Sequence, residues 1–160
     1  MRIRTERAGD RAAIHGLVEE AFGGPREAKL VDALRNGGAL AVSLVAEDEG
    51  RLIGHVALSR LKSPSGALAL APVAVSPQRQ RRGVGSLLVR EALGRARRGD
   101  WEIVFVVGDP AYYSRFGFSA EAAAPFPCLY AGRFFMALWL AEPGGAPEPV
   151  IYAEPFNDLE

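Results

Sequence analysis

Two glycines, Gly83 and Gly85, open an amphipathic helical pattern directly after Gln80-Arg81-Arg82. A helix start stripped of side chains aims several unpaired backbone N–H groups at one point. Such a concavity suits a phosphate, through the orphan donors and the positive end of the helix dipole. Arg79, Arg81 and Arg82 add positive charge at the same place. The turn is not a dinucleotide fingerprint, since Leu88 stands where the third glycine of Gly-x-Gly-x-x-Gly belongs. Nor does a Gly-Lys-Ser/Thr follow it, as a nucleoside triphosphate loop requires.

The elements that position this turn follow from periodicity. Leu68 to Val75 reads as a strand ending in Ser76-Pro77, and residues 83 to 98 read as a helix. That helix buries Val84, Leu88, Val89, Ala92, Leu93 and Ala96, with Arg90, Arg95, Arg97 and Arg98 largely opposite. Before it, Arg2 to Thr5 is a short strand, and Asp10 is placed to cap a helix with Ile14, Leu17, Val18, Ala21 and Phe22 on its apolar face. Gly23-Gly24 ends that helix. Pro25 starts a second one burying Leu30, Val31 and Leu34. Leu40–Ala46 and Leu52–Leu61 form a hairpin around Asp48-Glu49-Gly50. Ile103 to Val107 is continuously apolar, as for a strand buried on both faces. Pro110 opens a short helix ending near Gly117, Phe134 to Leu140 is another strand, and Val150 to Ala153 is a last short one. The result is a mixed α/β sheet with helices between strands, one domain over residues 1–160, with a Pro/Gly-rich loop at 143–149.

Composition narrows the function without choosing it. Acidic and basic residues balance at 19 each, which gives no global electrostatic case for nucleic acid or an anionic membrane. The single cysteine, Cys128, leaves no intramolecular disulfide and no multi-cysteine metal site. No apolar stretch approaches the roughly 20 residues that span a bilayer. A soluble cytoplasmic protein is the expectation.

The element order and two motifs resemble those of the GNAT superfamily of N-acetyltransferases. Gln80-Arg-Arg-Gly-Val-Gly85 matches the family's Gln/Arg-x-x-Gly-x-Gly/Ala after the fourth strand, and Val73-Ala74-Val75-x-Pro77 is similar to its lead-in. Tyr113-Ser-Arg-Phe-Gly117-Phe118 is similar to its Tyr-x-x-x-Gly-Phe after the fifth strand. The longer Gly108-Asp-Pro-Ala-Tyr-Tyr-Ser-Arg-Phe-Gly-Phe118 resembles a bacterial subgroup with mostly unassigned substrates. This resemblance implies an α+β fold, a mostly antiparallel sheet flanked by helices, with splayed fourth and fifth strands.

The resemblance also implies a cosubstrate, acetyl-CoA, and no metal. The N–H groups of Arg81, Arg82, Gly83, Val84, Gly85 and Ser86 would meet its pyrophosphate. Val73, Ala74 and Val75 would offer a strand edge to the pantetheine amides, and Pro72 would break the ladder beside them. Tyr113 would be the general acid toward the departing thiolate, with Tyr112 as packing. An N–H of Val73 or Val75 would meet the oxyanion. The strand carries no acid to serve as general base. His55 is the substitute, although a lone histidine in Gly-His-Val is more often structural; a water chain or an already neutral amine needs no residue. Glu47, Asp48 and Glu49 are expected to be solvated. The acceptor would be an amine of a small molecule or peptide, and a homodimer is left open. The competing class is a non-catalytic CoA-binding or regulatory module.

Overall fold

The computed structural model describes residues 1–159. One six-stranded sheet follows chain order: β1 (Arg2–Thr5), β2 (Leu40–Asp48), β3 (Arg51–Arg60), β4 (Ala67–Val75), β5 (Ile103–Val107) and β6 (Phe135–Trp139). Every pairing is antiparallel except β4 with β5, which is parallel. A parallel step needs a crossover, supplied by the 15-residue helix α3 (Val84–Arg98). The other helices are α1 (Arg11–Phe22), α2 (Arg26–Asn36) and two single turns, α4 (Pro110–Tyr113) and α5 (Ala120–Ala123).

The pleat sorts the core into two faces. Leu44, Ala46, Val56 and Leu68 pack with all six predicted α3 residues. Val45 and Ala74 face the other way, onto Ile14 and Val18 of α1 and Ala28 and Val31 of α2. Gly54 lets α3 lie close to β3: a Cβ there would stand 2.8 Å from Leu88 Cδ1 and 3.1 Å from Val84 Cγ1. The β2–β3 turn needs two positive φ angles, met by Glu49 (50°) and Gly50 (77°).

Four local expectations change. Asp10 occupies the cap position of α1 but makes no side-chain cap; its carboxylate instead takes both Arg4 Nη atoms (2.8 and 3.1 Å) and the Arg7 N–H. A charged fork is a stronger donor than a neutral helix N–H, so it wins. Phe22, at the last position before the Gly23 cap, is 46% exposed, because the apolar stripe outruns its partners. Val107 at the end of β5 is 48% exposed while Ile103 to Val106 are buried. Residues 150–153 form no strand. Ile151 makes an isolated bridge to Ser63, and burial of Val150, Ala153 and Phe156 takes precedence over pairing.

A polar chain links the α1/α2 face to the sheet. Arg35 donates to Glu6 through Nε (2.7 Å) and Nη2 (2.9 Å), and its Nη1 reaches Asp32 Oδ1 (3.2 Å). Ser43 Oγ donates to Glu6 Oε1, so it accepts from His55 Nε2 at 2.9 Å. Burial alone would raise the Glu6 carboxyl pKa, but Arg35 and Ser43 hold it below the ordinary range. His55 has no exposed surface, and burial pushes its pKa down to about 4.

Stability should therefore fall in acid. The folded pKa of His55 lies below its unfolded value of 6.5, so its contribution is intact above pH 6.5. It is lost as the unfolded chain takes up a proton on descending toward pH 4. The loss is about 3 kcal/mol from this group. Urea denaturation from pH 7 to 4 should show that slope, and His55→Gln should flatten it while keeping the carboxylate contribution.

Candidate active site

The sheet opens where β4 and β5 part. Their ladder holds for three pairs only, Ala67 with Ile103, Leu68 with Val104 and Ala69 with Phe105. β4 runs on to Val75 and β5 to Val107 without pairing. The cause lies partly on the β3 side. Leu58 faces Leu70 but Val56 faces Val73, so β4 fits an extra residue around Ala71-Pro72, a bulge that bends the strand. Pro72 lacks the N–H a regular ladder would need there. The expected break beside Pro72 and the splay are both present.

Ladder alternation tells which groups face the gap. Ser76 N–H donates to Ile53 O at 2.8 Å, making that a hydrogen-bonded pair. Two residues on, the Ala74–His55 pair repeats the pattern, so Ala74 spends its main-chain groups on β3. Val75 and Val73 turn theirs toward the gap. The Val75 carbonyl is met by Gln80 Nε2 at 3.1 Å. The N–H groups of Val73 and Val75 are the donors left at the opening.

Beyond Val75 the chain makes a short turn (Pro77–Arg79) and enters α3 with positive φ at Arg81 (65°) and Gly83 (82°). No described acceptor meets the N–H groups from Arg81 through Ser86; the first α3 bond is Leu87 N–H to Gly83 O, 3.1 Å. Six consecutive donors thus gather at the positive end of α3. Gly83 is needed for its backbone angle, since a Cβ would meet nothing within 4 Å. Gly85 lines the gap: a Cβ would lie 3.5 Å from Val75 Cγ2 and 3.8 Å from Val73 Cγ1. Val84 contributes only its N–H, because its side chain is buried against the sheet. Arg81 and Arg82 are exposed and in no ion pair with a described residue. Arg79 departs from expectation. Its Nη1 binds Asp48 Oδ2 at 2.6 Å, which pulls it to the hairpin turn and away from the helix start. Asp48 is accordingly held below the usual carboxylate range by Arg79, and Glu47 pairs with Arg4 at 2.9 Å; neither is simply solvated.

The two tyrosines leave β5 together on α4. Asp109 caps this turn, accepting from Ala111 N–H at 3.0 Å, and Gly117 (φ 99°) closes the segment. The Cε2 edge of the Tyr113 ring abuts Gly108, where a Cβ would collide with it, and the ring meets Phe118 edge-to-face at 5.9 Å. Its hydroxyl bonds no described residue and is not sealed from solvent. Burial of the ring pushes its pKa up to about 12, which keeps it protonated. Tyr112 does more than pack: its hydroxyl is 3.0 Å from Ser86 Oγ, and Arg115 stacks on its ring at 4.5 Å. No sequence signal marked that contact, because it joins residues 26 apart through side chains alone.

His55 is removed as a base that an acceptor could reach. It lies on the α1/α2 face with zero exposure, bonded to Ser43 and neutral. The other histidine, His15 on α1, binds Asp32 at 2.7 Å through Nδ1. Among the described residues no group of histidine, cysteine and carboxylate side chains is arranged to hold a metal, and no helix is long and apolar enough to cross a membrane.

Comparison with known proteins agrees with this geometry. The N-acetyltransferase YhbS of Escherichia coli K12 is 37% identical over 165 residues, covering 98% of this chain and 99% of YhbS. The crystal structure of E. coli YhbS in complex with CoA superposes with a TM-score of 0.89 at 35% identity, covering 98% of this chain and 91% of that one. A GNAT family acetyltransferase from Brucella melitensis in complex with acetyl-CoA gives 0.83 at 34% identity, with 97% of each chain covered. Residues 11–118, from the first helix to the end of the Tyr-x-x-x-Gly-Phe segment, match the profile of the Acetyltransferase (GNAT) family, and the chain belongs to that family.

Proposed function

We propose that the protein transfers an acetyl group from acetyl-CoA to a primary amine of a small molecule or peptide, by direct attack in a ternary complex. The observation that carries this reading is the row of N–H donors from Arg81 to Ser86 without protein acceptors, set beside the β4–β5 opening. A diphosphate satisfies those donors, and Arg81 and Arg82 add solvated charge. The pantetheine arm then lies along the unpaired edge at Val73 and Val75, as an added strand does. The bound CoA and acetyl-CoA of the two relatives support the assignment.

In the reaction the amine lone pair forms a bond to the thioester carbonyl carbon. The oxyanion accepts from the Val73 or Val75 N–H, and collapse breaks the C–S bond. Tyr113 hydrogen-bonds the departing sulfur. A phenol at about 12 is a weaker acid than an ordinary thiol near 8.5, so it stabilises developing thiolate charge more than it surrenders its proton. The ammonium proton leaves to solvent. No carboxylate lies on β4 and His55 is sealed, which supports a reading in which water takes the proton and the rate comes from alignment of amine and thioester.

Two variants test the reading. Gly83→Glu should abolish CoA binding by calorimetry in a protein that still melts cooperatively, whereas Gly83→Ala, which adds only backbone strain, should retain weakened binding. Unchanged affinity in Gly83→Glu would remove the turn from the site. Tyr113→Phe should leave CoA affinity within about twofold and lower acetyl-CoA-dependent thiol release across a primary-amine panel by up to about 100-fold, the worth of one hydrogen bond to a charged group. CoA binding with no turnover on any amine would favour the non-catalytic module.

A further inference from the structure

The Tyr112–Ser86 contact is the one side-chain hydrogen bond between α3 and the α4 turn among the described residues. Its place is informative. Ser86 carries the last of the six unpartnered N–H groups, and the Tyr112 hydroxyl lies 3.6 Å from where a Cβ of Gly85 would stand, at the wall of the gap. Tyr112 also braces Tyr113: their rings meet edge-to-face at 5.0 Å, and Phe116 holds Tyr112 from another side at 5.4 Å. Arg115, over the Tyr112 ring, fixes its plane.

We infer that Tyr112 is a positioning residue that couples occupation of the phosphate turn to the placement of Tyr113. The inference rests on the acetyl-CoA reading above. In the free chain either hydroxyl can donate to the other. A diphosphate at the turn offers a strong acceptor to Ser86 Oγ, so Ser86 donates outward and accepts from Tyr112. The chain Tyr112 O–H to Ser86 O–H to phosphate oxygen is then polarised in one direction. It draws the α4 turn, and Tyr113 with it, onto the cofactor. A cosubstrate lacking the diphosphate leaves the Tyr112–Ser86 pair undirected.

The test uses CoA and pantetheine as probes, since pantetheine keeps the thiol arm and lacks the diphosphate. Tyr112→Phe retains the brace and deletes the link; Ser86→Ala deletes it from the other end. Tyr112→Phe should weaken CoA binding about fivefold, the worth of one hydrogen bond, and Ser86→Ala should weaken it more, because it also removes the donor to the phosphate. The double variant should be no weaker than Ser86→Ala alone. Pantetheine affinity should stay unchanged in all three. In hydrogen exchange, CoA should protect the amides of residues 110–116 in the wild type, and Tyr112→Phe should lose that protection. Additive effects, equal weakening toward pantetheine, or unchanged CoA affinity in folded variants would overturn the coupling while leaving the acetyl-CoA reading in place. Absence of CoA binding by the wild type would instead overturn the reading itself.

Discussion

The decisive constraint is that β4 cannot pair with both neighbours along its whole length. The extra residue around Ala71-Pro72 bends it after Leu70, and its ladder to β5 ends at Ala69–Phe105. A main-chain group left unpaired in a dry interior costs about 1–3 kcal/mol. The chain avoids much of this by opening the gap to solvent, as the exposed end of β5 at Val107 shows. What is a defect in a sheet is thereby a slot with main-chain donors along one wall. The crossover helix that a parallel step requires delivers its positive end to the mouth of that slot.

Local chemistry was legible from sequence and distant chemistry was not. The α3 face, the closing glycines, the hairpin turn and the break at Pro72 each depend on residues within a few positions of one another. They came out as expected. The roles of Arg79 and Asp48 depend on a partner 31 positions away, that of His55 on Ser43, 12 positions away across the hairpin, and on the helices packed over that face, and that of Asp10 on a charged fork arriving from β1. His55 illustrates the limit. Its ordinary pKa and its strand suggested a base, but the side of the pleat it takes, shared with Val45 and Ala74, seals it beneath α1 and α2. Alternation alone gives two faces; which face receives which helix is decided by packing.

The balance of charge has a local meaning as well. Formal net charge is zero. Arg4, Arg35, Arg79 and Arg95 are each spent on a carboxylate of the chain itself. Arg81 and Arg82 are left facing outward at the start of α3. Neutrality overall and a positive corner are thus compatible, because pairing elsewhere concentrates the surplus where the helix dipole already points.

Arg81 carries a further consequence through its φ of 65°, a left-handed conformation that costs a side chain with a Cβ roughly 1–2 kcal/mol. Glycine would adopt the same angle freely. Selection for heat resistance alone would favour glycine at this position. The chains so obtained would be sturdier and would grip polyanions less firmly, a conflict between endurance and grip written into a single dihedral angle.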